Sequence, residues 1–227
     1  MSNINQYKFD KLPNSEVFIT QECYTRLMSI LNISGFQIAE HKCILYGKVI
    51  GLNKILLTEV NKHNDYVVTG RGSKNPAEHG VYINPNSDIG EELKSKIVAN
   101  EINSVICDIH THPSGILQDK DYENYRYLSG MDLSAGKNFS TKLKQTADNI
   151  LFVMGLVSVD NAKGNSAISF VWYDKNKFYR LGNVSIVEKQ GENYVKVCSL
   201  KNIDGVEYLE TNFNCDESSN SVVSMEI

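Results

Sequence analysis

Ser104-Val105-Ile106-Cys107-Asp108-Ile109-His110-Thr111-His112-Pro113 is the stretch that decides how this chain is built. Its apolar run, Ser104 to Ile109, reads as a strand. On a strand, successive side chains point to opposite faces, so residues two apart share one. His110 and His112 therefore project two imidazoles from one side of a short, stiff backbone, with Thr111 turned away. Pro113 has no N–H with which to continue a ladder, so the strand stops there and its end becomes the rim of a site. Two imidazoles placed in this way are half of a metal centre.

The segments on either side supply the layers such a strand needs. Upstream, residues 20–34 read as a helix: Tyr24, Leu27, Met28 and Leu31 recur at three/four spacing, Thr20 can cap the start, and Gly35 follows the end. Residues 38–50 and 54–60 read as a hairpin turning at Gly51-Leu52-Asn53. Residues 61–80 are polar with three glycines and read as a loop, before a short strand at Val81-Tyr82-Ile83. Asp88 with Glu91 resembles a capping box, and Ile89, Leu93 and Ile97 mark the face of the helix it would open. Downstream, a helix is expected between residues 129 and 148, then strands at 150–159, 167–173 and 179–187, and a hairpin within 200–213. This order of helices and strands describes an α/β (α+β mixed) fold, a mixed sheet with helices packed on it. There is no internal repeat.

Composition narrows the function classes. At 227 residues and 41% hydrophobic content, the chain is long enough for one sizeable core. Lys and Arg total 23 against 27 Asp and Glu, a formal charge of −4. Residues 205–227 hold Glu207, Glu210, Asp216, Glu217 and Glu226 and no Lys or Arg, so the body without them is close to neutral. A neutral body offers no electrostatic footprint for nucleic acid or an acidic membrane. The longest apolar stretch, residues 150–159, is too short to span a bilayer, and residues 1–11 carry no apolar signal core. Five widely spaced cysteines with no C-x-x-C pair fit a reducing cytoplasm, export without a standard signal being the other route. Cys23, Cys43 and Cys107 sit at apolar-patterned positions and read as small buried hydrophobes.

A catalytic zinc usually takes three protein ligands and a water. The third ligand is sought in Ser129-Gly130-Met131-Asp132, where Asp132, in the first turn of a helix, could face the strand end. The same S-x-x-D is also the pattern of a capping box. Glu123 is a rival by spacing, and Asp119 and Asp121 lie in the same polar segment. Hydrolysis also needs a base that is not a ligand. Glu40, opening Glu40-His41-Lys42-Cys43-Ile44-Leu45-Tyr46-Gly47, is a carboxylate at the start of an apolar strand. Asp108 shares a face with His110 and could support it from behind, or be a plain hydrogen-bonded strand residue.

Taken together, E-x-x-C-x-L-x-G, H-T-H-P and S-G-M-D resemble, in order, the signature of the JAMM (MPN-plus, JAB-domain) zinc metallopeptidases. The resemblance covers residues 22–160. It implies a JAMM/MPN-like (cytidine-deaminase-like) fold, a curved mixed sheet sandwiched by helices. It implies Zn2+ held by His110, His112 and Asp132, Glu40 as general base and later proton donor to the leaving amine, and Ser129 as oxyanion stabiliser. The implied reaction is hydrolysis of a peptide or Lys-linked isopeptide bond in a protein or peptide substrate, ubiquitin or ubiquitin-like conjugates among them. S-G-x-D is similar to the form found in bacterial toxin and effector JAB domains. Two features depart from the pattern: Cys43 stands where the family has glycine, and the segment 113–128, rich in tyrosine, is longer than the family's.

The resemblance divides the chain into an N-terminal extension (1–19), the metallopeptidase domain (20–190) and a C-terminal hairpin with an acidic tail (191–227). Two other functions share the fold: a non-catalytic interaction module and a DNA-repair-associated JAMM-like protein. Intact ligands and base argue against the first, and the neutral body against the second. Nothing in the sequence speaks for a homo-oligomer.

Overall fold

Thirteen strands join into one mixed sheet whose two ends come back together. A computed structural model describes residues 9–30, 41–62, 67–69, 80–82, 86–101, 104–113, 128, 130–160, 165–203, 206–209 and 222–223. The chain runs β1 (Asp10–Lys11), β2 (Glu16–Thr20), α1 (Gln21–Ile30), β3 (Lys42–Gly51), β4 (Lys54–Val60), β5 (Val67–Thr69), β6 (Gly80–Tyr82) and α2 (Asp88–Ala99). It continues through β7 (Ser104–Pro113), α3 (Gly130–Thr146), β8 (Ile150–Asp160), β9 (Asn165–Asp174), β10 (Lys177–Leu181) and β11 (Val184–Gln190). β12 (Asn193–Ser199), β13 (Lys201–Ile203), β14 (Val206–Leu209) and β15 (Val222–Val223) complete it. The order across the sheet is β1-β10-β9-β8-β7-β3-β4-β2-β11-β12-β15, with the β13–β14 hairpin lying against β9 and a separate β5–β6 pair.

The ends meet because β1 and β2 are consecutive in the chain, and so are β10 and β11. β1 pairs in parallel with β10, and β2 in parallel with β11. The seam is tied by main-chain bonds: Leu12 N–H donates to Arg180 O at 2.9 Å and Val17 N–H to Asn183 O at 3.2 Å. Between them the buried Ser15 hydroxyl donates to Leu12 O and accepts from Gly182 N–H.

Alternation then assigns each strand an inner and an outer face. Val17 and Ile19 of β2, Leu45 of β3, Ile55 and Leu57 of β4, and Phe170 of β9 turn inward with Val105, Cys107 and Ile109 of β7. Tyr24 and Leu27 of α1 pack on the same cluster. Thr20 caps α1 as expected, its Oγ1 accepting from Cys23 N–H at 3.3 Å. The outer face of β7, β8 and β3 packs against the other two helices: Ile44, Ile106, Phe152 and Met154 meet Ile89 of α2 and Leu133 and Leu143 of α3. Each buried aliphatic or aromatic side chain of this kind contributes about 1.5–3 kcal/mol relative to an exposed one.

The α/β layering expected from the sequence is present, as are β3, β4, β7, β8 and β9 within a few residues of their expected bounds. Several details differ. The cap of α2 is Ser87, whose side chain accepts from Gly90 N–H, so Asp88 is already helical and Glu91 pairs with Lys94 instead of closing a box. The single strand expected at 179–187 is two, broken at Gly182-Asn183, where Asn183 takes a positive φ of 56°. Residues 61–80 contain β5, paired with β6. Strands β2 and β12, which the apolar pattern alone did not single out, bring residues of the expected N-terminal extension and C-terminal segment into the main sheet. Residues 31–40, 83–85, 114–127 and 129 lie outside the described residues, and with them the ends of several expected elements. Among the described residues no helix is long and apolar enough to cross a membrane.

The cysteines behave as core residues. Burial, aided by Glu22 and Glu59 and opposed by Arg26, pushes the Cys23 thiol up to about 12. Burial likewise drives Cys43 and Cys107 well above the usual thiol range. The thiolate is the reactive form. A thiol reagent at pH 8 is therefore expected to modify the half-buried Cys198 and to spare Cys23, Cys43 and Cys107 until denaturant is added, with peptide mapping of the labelled sites as the readout. Labelling of these three in the native protein would contradict the packing described here.

Candidate metal centre

β7 is the rigid element of the site because β8 pairs with it along its whole length and β3 along most of it. Lys42 to Lys48 of β3 run antiparallel to it, from His110 back to Ser104, and Ile150 to Val159 of β8 run parallel from Ser104 to Pro113. Val105, Cys107 and Ile109 point into the ring, so Ile106, Asp108, His110 and His112 point outward, toward the helices. Thr111 falls on the inner side, fully buried. It holds the chain ahead of β3: its Oγ1 accepts from His41 N–H at 2.8 Å, and its own N–H donates to His41 O at 2.8 Å.

α3 delivers the third group. Leu128, buried in the outer cluster, anchors the chain just ahead of the helix, and Leu133, Gly136, Ser140 and Leu143 lay the helix on β8. Gly136 permits the close approach, since a Cβ there would run into the Met154 side chain. Asp132, in the first turn, is thereby brought to the histidine pair. Its Oδ1 lies 3.4 Å from His110 Nε2 and its Oδ2 3.5 Å from His112 Nε2, while the two Nε2 atoms are 3.1 Å apart. His110 and His112 are 8% and 7% exposed, so these atoms converge at a largely buried position.

The separations discriminate between two accounts of the cluster. A direct charge-assisted bond between imidazolium and carboxylate is expected at about 2.7–2.9 Å. Ligand atoms about 2.0–2.1 Å from a tetrahedral ion stand about 3.3 Å from one another. The observed 3.1, 3.4 and 3.5 Å fit the second spacing better than the first. Burial opposes ionisation of Asp132, but hydrogen bonding to His110 and His112 and their charge outweigh it and hold the carboxyl well below the usual range. An ionised carboxylate is the form a metal ligand requires. Among the described residues, this is the group of His, Cys, Asp and Glu whose ligand atoms all lie within 4.8 Å of one another, and it could hold a metal ion.

Behind the histidines lies an ion pair that the sequence did not disclose. Lys42 Nζ is 2.7 Å from Asp108 Oδ2, with the lysine side chain 12% exposed. Lys42 stands opposite His110 in the ladder. Asp108 Oδ1 is buried with no hydrogen-bond partner among the described residues. An idle buried acceptor costs about 1–3 kcal/mol, so it calls for an explanation. Lys42 and Asp108 lie far apart in the chain, and the antiparallel register of β3 and β7 brings them together.

Of the residues picked out by sequence, His110, His112 and Asp132 are brought together. Glu40, Ser129, Glu123, Asp119 and Asp121 lie outside the described residues. His41 is described and has its main chain bound to Thr111. Comparison with known protein families and with characterised proteins finds no match to this chain.

Proposed function

We propose that this chain is a zinc-dependent amide hydrolase of the JAMM (MPN-plus) type, cleaving peptide or Lys-linked isopeptide bonds. The observation that carries the proposal is the meeting of His110, His112 and Asp132 at separations suited to a tetrahedral ion. Two histidines and a carboxylate are a donor set that suits zinc and leaves one position open. When bound, such an ion polarises a carbonyl and lowers the pKa of a water at its open position from 15.7 toward about 7.

The remaining work falls to the chain's own side chains. Glu40 directly precedes His41, whose main chain is tied to Thr111 between the two histidines. A carboxylate there takes a proton from the attacking water and returns it to the departing nitrogen. The Ser129 hydroxyl, three residues before Asp132, donates to the oxygen on which negative charge develops. The buried imidazoles keep bulk water from the ligand side of the site.

Glu40→Gln tests this division of labour. The variant is expected to bind zinc with the stoichiometry of the unmutated protein and to lose roughly 10²–10⁴-fold in hydrolysis. Both are to be measured on a panel of ubiquitin chains, ubiquitin-like fusions and an unbiased peptide library. Full activity in Glu40→Gln would remove that residue from the mechanism. Zinc binding without cleavage of any panel member by the unmutated protein would favour the interaction module.

A further inference from the structure

We propose that the first turns of α3 carry a recognition subsite for a protein substrate, taking a large apolar side chain together with a neighbouring carboxylate. The inference rests on the hydrolase reading above and names the kind of segment that reaches the site. Gly130, Leu133, Ser134 and Lys137 of α3 and Phe178 of β10 line a cleft of about 230 Å³. Whole small molecules occupy about 300–1,000 Å³, so this space suits one side chain of a larger partner. Two of its walls are held in place by packing. Leu133 is 5% exposed, and the Phe178 ring packs on both Phe9 and Tyr173, at centroid distances of 5.5 and 4.8 Å. Gly130 adds no side chain, and a Cβ there would meet nothing within 4 Å.

Charge and position say what enters. Lys144, two turns along the helix, is neutralised by Asp174 at 2.8 Å. Lys137 instead lies 5.8 Å from the centre of the Tyr173 ring, with no carboxylate paired to it among the described residues. An apolar cleft with an unneutralised ammonium at its rim matches an apolar residue flanked by Asp or Glu. Met131, between Gly130 and Asp132, is 59% exposed, so the same turn offers a further adaptable apolar contact. At 3.6 residues per turn, Leu133 and Lys137 stand about 100° and 140° round the helix from Asp132. The cleft thus lies across the flank of a cylinder about 10–12 Å wide. Three or four residues of extended chain, at about 3.3 Å each, cover that distance. A segment cut at the metal centre therefore has its anchoring side chain three or four residues from the cleaved bond.

Blocked hexapeptides containing Leu-Asp, Leu-Lys or Ala-Asp serve as probes, titrated into the ¹⁵N-labelled full chain with chelator present so that nothing is cut. The amide signals of Gly130, Ser134 and Lys137 should shift with the Leu-Asp peptide. Ala-Asp is expected to bind roughly tenfold more weakly, and Leu-Lys about two- to fivefold more weakly. Lys137→Glu should reverse the order of Leu-Asp and Leu-Lys. Gly130→Trp, which fills the cleft, should abolish binding of all three, and both variants should keep the zinc affinity of the unmutated protein. Lys137→Glu, at an exposed position, supplies the result if Gly130→Trp does not fold. With zinc restored, members of the peptide library that are cut should carry the apolar–acidic pair at one fixed offset from the cleaved bond, and Lys137→Glu should exchange acidic for basic residues there. Equal shifts with all three peptides, or binding and cleavage profiles that neither variant alters, overturn the subsite. Selective peptide binding by a protein that takes up no zinc instead overturns the hydrolase reading and leaves the apolar–acidic cleft in place.

Discussion

His112→Ala is expected to purify without stoichiometric metal, its zinc affinity reduced by more than the roughly 100-fold that losing a supporting residue costs. His112 supplies one of three converging donors, and its Nε2 lies 3.1 Å from His110 Nε2 and 3.5 Å from Asp132 Oδ2. Two donors do not hold zinc against water as three do. The side chain points away from the inner core, so the metal-free variant should melt within a few degrees of the metal-free unmutated protein. Asp132→Ala should lose metal to the same degree, and Glu123→Ala should keep it. Elemental analysis beside a thermal melt reads all three. Loss of metal from Glu123→Ala but not from Asp132→Ala would assign the third ligand to the other carboxylate. An unmutated protein with no metal affinity would reduce the cluster to a hydrogen-bonded group.

Gly47→Ala is expected to destabilise the fold by about 3 kcal/mol, a fall in melting temperature of about 6–12 °C for a chain of this size. A Cβ at Gly47 would overlap Leu56 O and stand 2.9 Å from both Leu56 C and Leu57 Cα. All three are main-chain atoms of β4, which no rotamer change can clear. The position coincides with the bulge where the β3–β4 register shifts between Tyr46 and Gly47. Because β3 also pairs with β7 from Lys42 to Lys48, a displaced bulge disturbs the strand that carries the histidines. Gly130→Ala is the control: a Cβ there meets nothing within 4 Å, and alanine favours the helix, so its melting temperature should hold or rise. Equal melting curves for the two variants would mean that β3 and β4 lie farther apart than described.

These two sites also show what the sequence made legible. The histidine strand could be read because period-two alternation and a terminal proline are local signals, and the structure places Val105, Cys107 and Ile109 on one face and His110 and His112 on the other. Asp132 could be proposed from S-x-x-D, but the same letters suit a capping box. Only the packing of Leu128, Leu133 and Gly136 decides where its carboxylate lands. The cap of α2 was misplaced by one residue because Ser87 and Asp88 are both good capping types, and the choice depends on main-chain dihedrals. β2 went unnoticed for another reason. Val17-Phe18-Ile19 is a short apolar run, and its partners come far later in the chain: Val17 pairs with Ile55 of β4, 38 positions on, and with Val184 of β11, 167 positions on. Pairing over such distances leaves no trace in local pattern. The Lys42–Asp108 pair was hidden likewise until the β3–β7 register was known.

The seam between β2 and β11 has a consequence for how the chain reaches this structure. Residues 104–160 carry β7, α3 and β8, and they assemble from a short stretch of chain. Closing the ring requires Val17 to find Val184, after almost the whole main sheet has formed between them. Contacts so distant in sequence are slow to form, because the entropy of a long loop is lost before they repay it. During synthesis β2 emerges early and waits for β11, with one edge of its main chain unpaired until then. His110, His112 and Asp132 can thus be brought together well before the ring around the inner core is complete.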